Sequence, residues 1–106
     1  MRTISYNKLV RDNIPRIIQE QGEIAVYEYL DDGRFEEELY KKLLEETDEF
    51  LKEKNLEEAA DILEVLYTKL ELKNIPLEEA ERQRLLKHDK NGGFEGRFFL
   101  KEVKRA

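Results

Sequence analysis

The chain has 106 residues, with 25 acidic against 19 basic side chains for a net charge of −6, and 42% of its residues are charged against 40% hydrophobic. That length suits one domain with one core and one site, and the acidic balance opposes non-specific binding to nucleic acid or to an anionic membrane. Cysteine is absent and His88 is the one histidine, which excludes disulfides, thiolate zinc sites, cysteine nucleophiles and any histidine cluster.

The opening stretch, "MRTISYNKLVRD", has no apolar core of the kind a secretory signal needs, and no run approaches the ~20 apolar residues of a membrane span. The expectation is a cytoplasmic protein that binds neither membrane nor nucleic acid. "SYNKLVRDNIPRIIQEQG" predicts an extended arm and then a short helix. Asp12 or Asn13 is its N-cap, Pro15 lies in its first turn, Ile14, Ile17 and Ile18 share a side, and Gly22 is the stop. Residues 24–30, "IAVYEYL", are rich in β-branched and aromatic side chains and precede the turn signal "DDG", which predicts a short strand.

From Phe35 to about Lys54 the positions Leu39, Leu43, Phe50 and Tyr40, Leu44, Leu51 recur at spacings of three, four and seven, the pattern of a long amphipathic helix. Asn55 opens the next helix, with Glu58 three residues on as in a capping box, and the apolar pattern runs to about Lys73. So short a connection predicts an antiparallel hairpin. Asn74 and Pro76 start a last helix through "LEEAERQRLLKHDK", which Gly92 and Gly93 end. The final "FEGRFFLKEV" reads as extended and suited to pairing with residues 24–30.

Four acids break this apolar pattern. Leu39, Leu43, Glu46 and Phe50 fall on one stripe at about 100° per residue, so Glu46 stands where the pattern reserves an apolar residue, and Glu49 borders the stripe one turn on. On the following helix Ala59, Ile62, Leu63, Leu66 and Leu70 define the main apolar face. Val65 and Leu72 widen it towards Glu58 and Asp61. Glu49 and Asp61 each lie six residues from Asn55, roughly 9 Å along their helices at 1.5 Å per residue, so the hairpin sets them at matching heights.

Singly, each acid reads as a solvated helix residue, and Glu58 is explained by capping alone. As two pairs facing each other between apolar surfaces they would repel and rise in pKa unless a cation neutralised them. Oxygen-only donors select a hard ion, and Mg²⁺ keeps water and recruits substrate phosphate as further ligands.

These residues resemble a known family. "EETDE" (45–49) is similar to the EExxE motif and "EAAD" (58–61) to the ExxD motif of the all-α NTP pyrophosphohydrolases of the MazG type. "YNKLVRDNIP" and "GGFEGRFFL" resemble its small phosphoribosyl-ATP pyrophosphohydrolase-like branch. The resemblance implies a mainly α, antiparallel helical bundle with a small β element over residues 1–106, assembled as a homodimer or higher homo-oligomer. It also implies hydrolysis of a nucleotide between its α and β phosphates, releasing nucleoside monophosphate and pyrophosphate. Glu46, Glu49, Glu58 and Asp61 then match the Mg²⁺ ligands, with Mn²⁺ as a substitute. Glu45, or a carboxylate only partly engaged with metal, takes the proton of the attacking water.

Lys8 and Arg11 match the N-terminal motif and Lys87 the basic position ahead of the GGF segment; with Arg84 on the face of Lys87 they make a clamp for substrate phosphate. Each of them also reads as a surface cation. Gly92 and Gly93 read as a helix stop or as a backbone approach to phosphate, His88 as a solvent-side residue, and Phe94, Phe98 and Phe99 as core or base-stacking aromatics. Tyr6 and Asn7 are further candidates for contact with base or sugar. Three rival readings remain: a phosphoribosyl-ATP pyrophosphohydrolase of histidine biosynthesis, a non-catalytic acidic helical binding module, and a nucleotide sensor that keeps the metal but hydrolyses poorly.

Overall fold

A computed structural model describes residues 2–105 and holds four helices among them: α1 (Ile14–Glu20), α2 (Asp32–Glu53), α3 (Leu56–Leu72) and α4 (Leu77–Asn91). The protein is mainly α. The chain divides into two compact units, Met1–Lys69 and Leu70–Ala106.

In the first unit α1 starts at Asn13 with proline in its first turn, as the sequence predicts, although Asn13 makes no side-chain cap. Ile14 N–H donates to Arg11 O at 3.1 Å, which fixes the backbone of the arm where it enters the helix. α2 begins three residues before the expected Phe35, because "DDG" is a cap rather than a turn: Asp31 Oδ1 accepts from Arg34 N–H at 2.9 Å. Its end is marked by Lys54 in the left-handed conformation at φ +56°, with Lys54 N–H donating to Phe50 O at 2.7 Å. Asn55 Oδ1 then accepts from Glu58 N–H at 3.2 Å and opens α3, which supplies one half of the expected capping box. Only Lys54 and Asn55 separate the two helices, and Lys8 and Arg11, three residues apart on the arm, pair with Glu45 on α2 and Asp61 on α3, so the chain folds back on itself as a hairpin.

The inward line of α2 is the one the spacing predicts. Leu39 and Glu46 are buried and Leu43 and Phe50 half-buried, whereas Tyr40, Leu44 and Leu51 are 59%, 54% and 65% exposed. On α3 the inward line matches expectation in part, at Ala59, Ile62 and Leu70. Val65 is buried and Ala59 and Ile62 half-buried, while Leu63 and Leu66 are exposed. The face is thus rotated towards the side expected to be its margin, and Glu58 and Asp61, both half-buried, belong to the inner surface.

The strand predicted over residues 24–30 is not formed, and no strand occurs among the described residues. Ile24, Val26 and Tyr29 are instead exposed, Tyr27 packs edge-on to Tyr29 at 5.8 Å, and Glu28 accepts from Arg34 Nη1 at 2.8 Å. The physical reason is that β-rich composition describes a surface to be packed; without a ladder of paired neighbours it does not make a strand.

In the second unit, α3 closes with Ile75 N–H donating to Leu70 O at 2.9 Å and Asn74 at φ +57°. Pro76, at φ −62° and ψ 143°, precedes α4, whose surface carries Arg82–Glu79 and Arg84–Glu81 pairs one turn apart. Gly92 ends it at φ +82° with its N–H on His88 O at 2.8 Å, so the helix-stop reading describes its structure. Phe94, Phe98 and Phe99 are almost wholly exposed and do not form the core that one reading gave them. Among the described residues no helix is long and apolar enough to cross a membrane.

Candidate functional site

Glu46 is the one buried charged residue among those described, 5% exposed, and it lies on the stripe that carries Leu39. Lys42, one turn before it on α2, brings its ammonium to 3.3 Å from Oε1. The other oxygen, Oε2, is buried without a hydrogen-bond partner. Burial pushes the Glu46 carboxyl above its ordinary pKa, Lys42 pulls it back, and the charges of Asp61 and Glu49 push it up again. Three of the four predicted acids therefore share one electrostatic environment, although Glu49 itself is exposed.

Cations from the N-terminal arm reach both helices of the hairpin. Arg11 Nη2 donates to Asp61 Oδ1 at 2.7 Å, and its Nη1 stands 3.8 Å from Glu64 Oε1, one turn further along α3. Lys8 Nζ lies 3.9 Å from Glu45 Oε1 on α2, and Lys42 approaches the same oxygen at 3.9 Å. The structure thus joins Lys8, Glu45, Lys42 and Glu46 in one chain of ion pairs and Arg11, Asp61 and Glu64 in another, with two members, Lys42 and Glu64, that sequence reasoning missed. Lys42 was legible, since it stands four residues before Glu46 on the same helix. Glu64 had no local signal, because the residue that meets it comes from the arm.

Glu58 completes the acid set differently. Its Oε2 is also buried without a partner, and its side chain is not the second half of a capping box through that atom. Arg84 and Lys87 lie on α4 in the second unit, where Arg84 Nε donates to Glu81 Oε2 at 3.0 Å.

Among the described residues no three Asp, Glu or His side chains are grouped as they stand to hold a metal ion. Ammonium and guanidinium heads lie against the carboxylates instead. Two acceptors of the predicted set, Glu46 Oε2 and Glu58 Oε2, are nonetheless buried with no hydrogen-bond partner. An orphaned buried acceptor costs about 1–3 kcal/mol, and more when it is ionised, so both atoms favour a cation that reaches them.

No protein-family profile matches the chain, and neither curated proteins nor solved structures yield a match.

Proposed function

We propose that the chain is a Mg²⁺-dependent nucleoside triphosphate pyrophosphohydrolase of the MazG-like all-α type, hydrolysing the bond between the α and β phosphates. The observation that carries this reading is Glu46: a carboxylate 5% exposed, with an unpartnered oxygen, whose pKa is raised by burial and by two further acids of the expected ligand set. The ordered motifs "YNKLVRDNIP", "EETDE", "EAAD" and "GGFEGRFFL" support it.

In this reading Glu46, Glu49, Glu58 and Asp61 hold Mg²⁺, or Mn²⁺ in its place. When bound, the ion neutralises phosphate charge and acidifies the attacking water. Glu45, half-buried beside Lys8 and Lys42, accepts a proton from that water. Lys8 and Arg11 turn their heads to the phosphates from the arm, and the resemblance adds Arg84 and Lys87 of α4 as phosphate-binding candidates. The protein acts as a cytoplasmic homodimer or higher homo-oligomer. The exposed line of Tyr40, Leu44 and Leu51 along α2 supports this assembly, because a second copy would bury it. The antiparallel bundle is completed there.

A non-catalytic acidic binding module is the second reading. It is favoured by one observation: Arg11 and Lys42 already pair with Asp61 and Glu46, two of the four acids. Pyrophosphate release from nucleoside triphosphates, deoxynucleotides, damaged nucleotides and phosphoribosyl-ATP, with and without Mg²⁺, separates these readings. Release by the wild type with metal, lost in Asp61→Ala, is the expected result, and preference for phosphoribosyl-ATP would assign the histidine-pathway reaction. No turnover by folded protein with any substrate, and no effect of Mg²⁺ on binding, would overturn the enzymatic reading.

A further inference from the structure

Residues 2–11, "RTISYNKLVR", carry three cations and no acid, whereas α2 and α3 together hold fourteen acidic and five basic side chains. Arm and hairpin are thus oppositely charged, and two of the three cations meet acids on different helices. Lys8 Nζ lies 3.9 Å from Glu45 Oε1 on α2. Arg11 reaches α3, with Nη2 2.7 Å from Asp61 Oδ1 and Nη1 3.8 Å from Glu64 Oε1. The apolar side chains of the arm hold it weakly by comparison: Leu9 is half-buried, but Ile4, Tyr6 and Val10 are exposed, and α1 after it has no fully buried residue.

We infer that the arm is an ion-held strap: Lys8 and Arg11 tie α2 to α3, and the strap opens without unfolding the helices it joins. Its two ends are defined. Before Lys8, Asn7 turns the backbone at φ +48°, a left-handed conformation that asparagine tolerates better than most residues. At the other end Arg11 O accepts from Ile14 N–H at 3.1 Å, which joins the strap to α1. The pairs are open to water, since the side chains of Lys8, Arg11, Asp61 and Glu64 are 45%, 55%, 37% and 56% exposed. Such pairs are individually weak and are screened by salt, whereas the burial of Leu39 and Val65 in the hairpin is not. The strap gives way first at Lys8, because Lys42 approaches the same Glu45 oxygen at the same 3.9 Å. Opening takes the arm's cations from Glu45, Asp61 and Glu64 together. Two of these acids belong to the proposed site, so the strap sets when they are accessible; the strap itself rests on the ion pairs and stands or falls apart from any enzymatic activity.

Limited trypsin digestion reads the strap, because the protease must take the Lys8 or Arg11 head into its own acidic pocket and a paired head is withheld from it. Cleavage after Lys8 and Arg11 is measured against cleavage after Lys101 and Lys104, exposed residues of the same chain, which corrects for effects of salt on the protease. At about 0.01 M salt, where charges interact over ~30 Å, the wild type should be cut slowly in the arm. About 1 M NaCl, which screens beyond ~3 Å, should speed arm cleavage on the order of tenfold. The variant Glu45→Gln, Asp61→Asn, Glu64→Gln keeps every trypsin site and should be cut at the fast rate in both salts. Hydrogen exchange of α2 and α3 amides in the wild type should be the same in both salts. Arm cleavage indifferent to salt overturns the strap. Loss of α2 and α3 protection together with arm cleavage overturns it too, because arm and hairpin would then open as one cooperative unit.

Discussion

The Lys42 ammonium stands 3.3 Å from Glu46 Oε1, one turn away on α2, and is the nearest counter-charge to the one buried acid among the described residues. Lys42→Gln leaves that carboxylate uncompensated. A loss of about 1–3 kcal/mol is expected, the range for a buried polar group deprived of its partner. In the double variant Lys42→Gln, Glu46→Gln most of the loss should return, because no charge remains to be compensated. Urea unfolding of the two singles and the double checks this; strict additivity would show that the pair does not couple.

Glu46 also predicts a pH dependence. Its carboxyl is raised above the ordinary 4.5, first by burial. A carboxyl raised in the folded state binds its proton more tightly there than in the unfolded chain. The stability linked to that proton is fully present below the unfolded value and is lost as pH rises through the folded value. Glu46→Gln should flatten this decline, so the stability difference between variant and wild type grows as pH rises above 4.5. Parallel stability profiles from pH 4 to 8 would count against a desolvated Glu46.

Two backbone positions predict changes of opposite sign. Asp31→Ala removes the side-chain acceptor from the start of α2 and should cost about 1 kcal/mol. Lys54→Gly relieves a non-glycine residue held at φ +56° and should gain roughly 1 kcal/mol, less the added freedom of the unfolded chain. Thermal unfolding resolves both, and a stabilising Asp31→Ala would contradict the cap.

In the proposed homo-oligomer the exposed line of Tyr40, Leu44 and Leu51 is the surface a second copy would bury. Leu44→Glu with Leu51→Glu places two charges on a surface that a second copy should bury, so sedimentation should shift from dimer or larger towards monomer. A wild type that sediments as a monomer at high concentration would remove the basis for this assignment.

Much of the hairpin was legible in its sequence. The spacing of Leu39, Leu43, Glu46 and Phe50 identified the inward line of α2 and marked Glu46 as out of place there, because helical period and burial are coupled through simple geometry. The inward line of α3 was legible only in part, at Ala59, Ile62 and Leu70, since Leu63 and Leu66 are as apolar as Val65 and only the neighbouring helix decides which side is covered. The first turn of α2 was hidden by "DDG", whose aspartate serves a cap or a turn equally well. Nothing local announced that Arg11 would meet Asp61, fifty residues away. For the same reason residues 24–30 read as a strand: composition specifies a willingness to pair but supplies no partner.

The two-residue connection at Lys54 and Asn55 bears on the order in which the protein assembles. Glu46 and Asp61 are linked by a short loop of chain, and closing such a loop is fast and costs little entropy. The Arg11 bond to Asp61 spans a separation of 50 residues and closes a much larger loop. The acids should accordingly meet early and spend an interval facing one another before the arm arrives. In pulse-labelled hydrogen exchange, amides of α2 and α3 should gain protection ahead of Ile14 and Ile17; simultaneous protection would place arm and hairpin in a single cooperative step. On this order of events, the repulsion between Asp61 and Glu46 is felt during folding before Arg11 arrives to offset it.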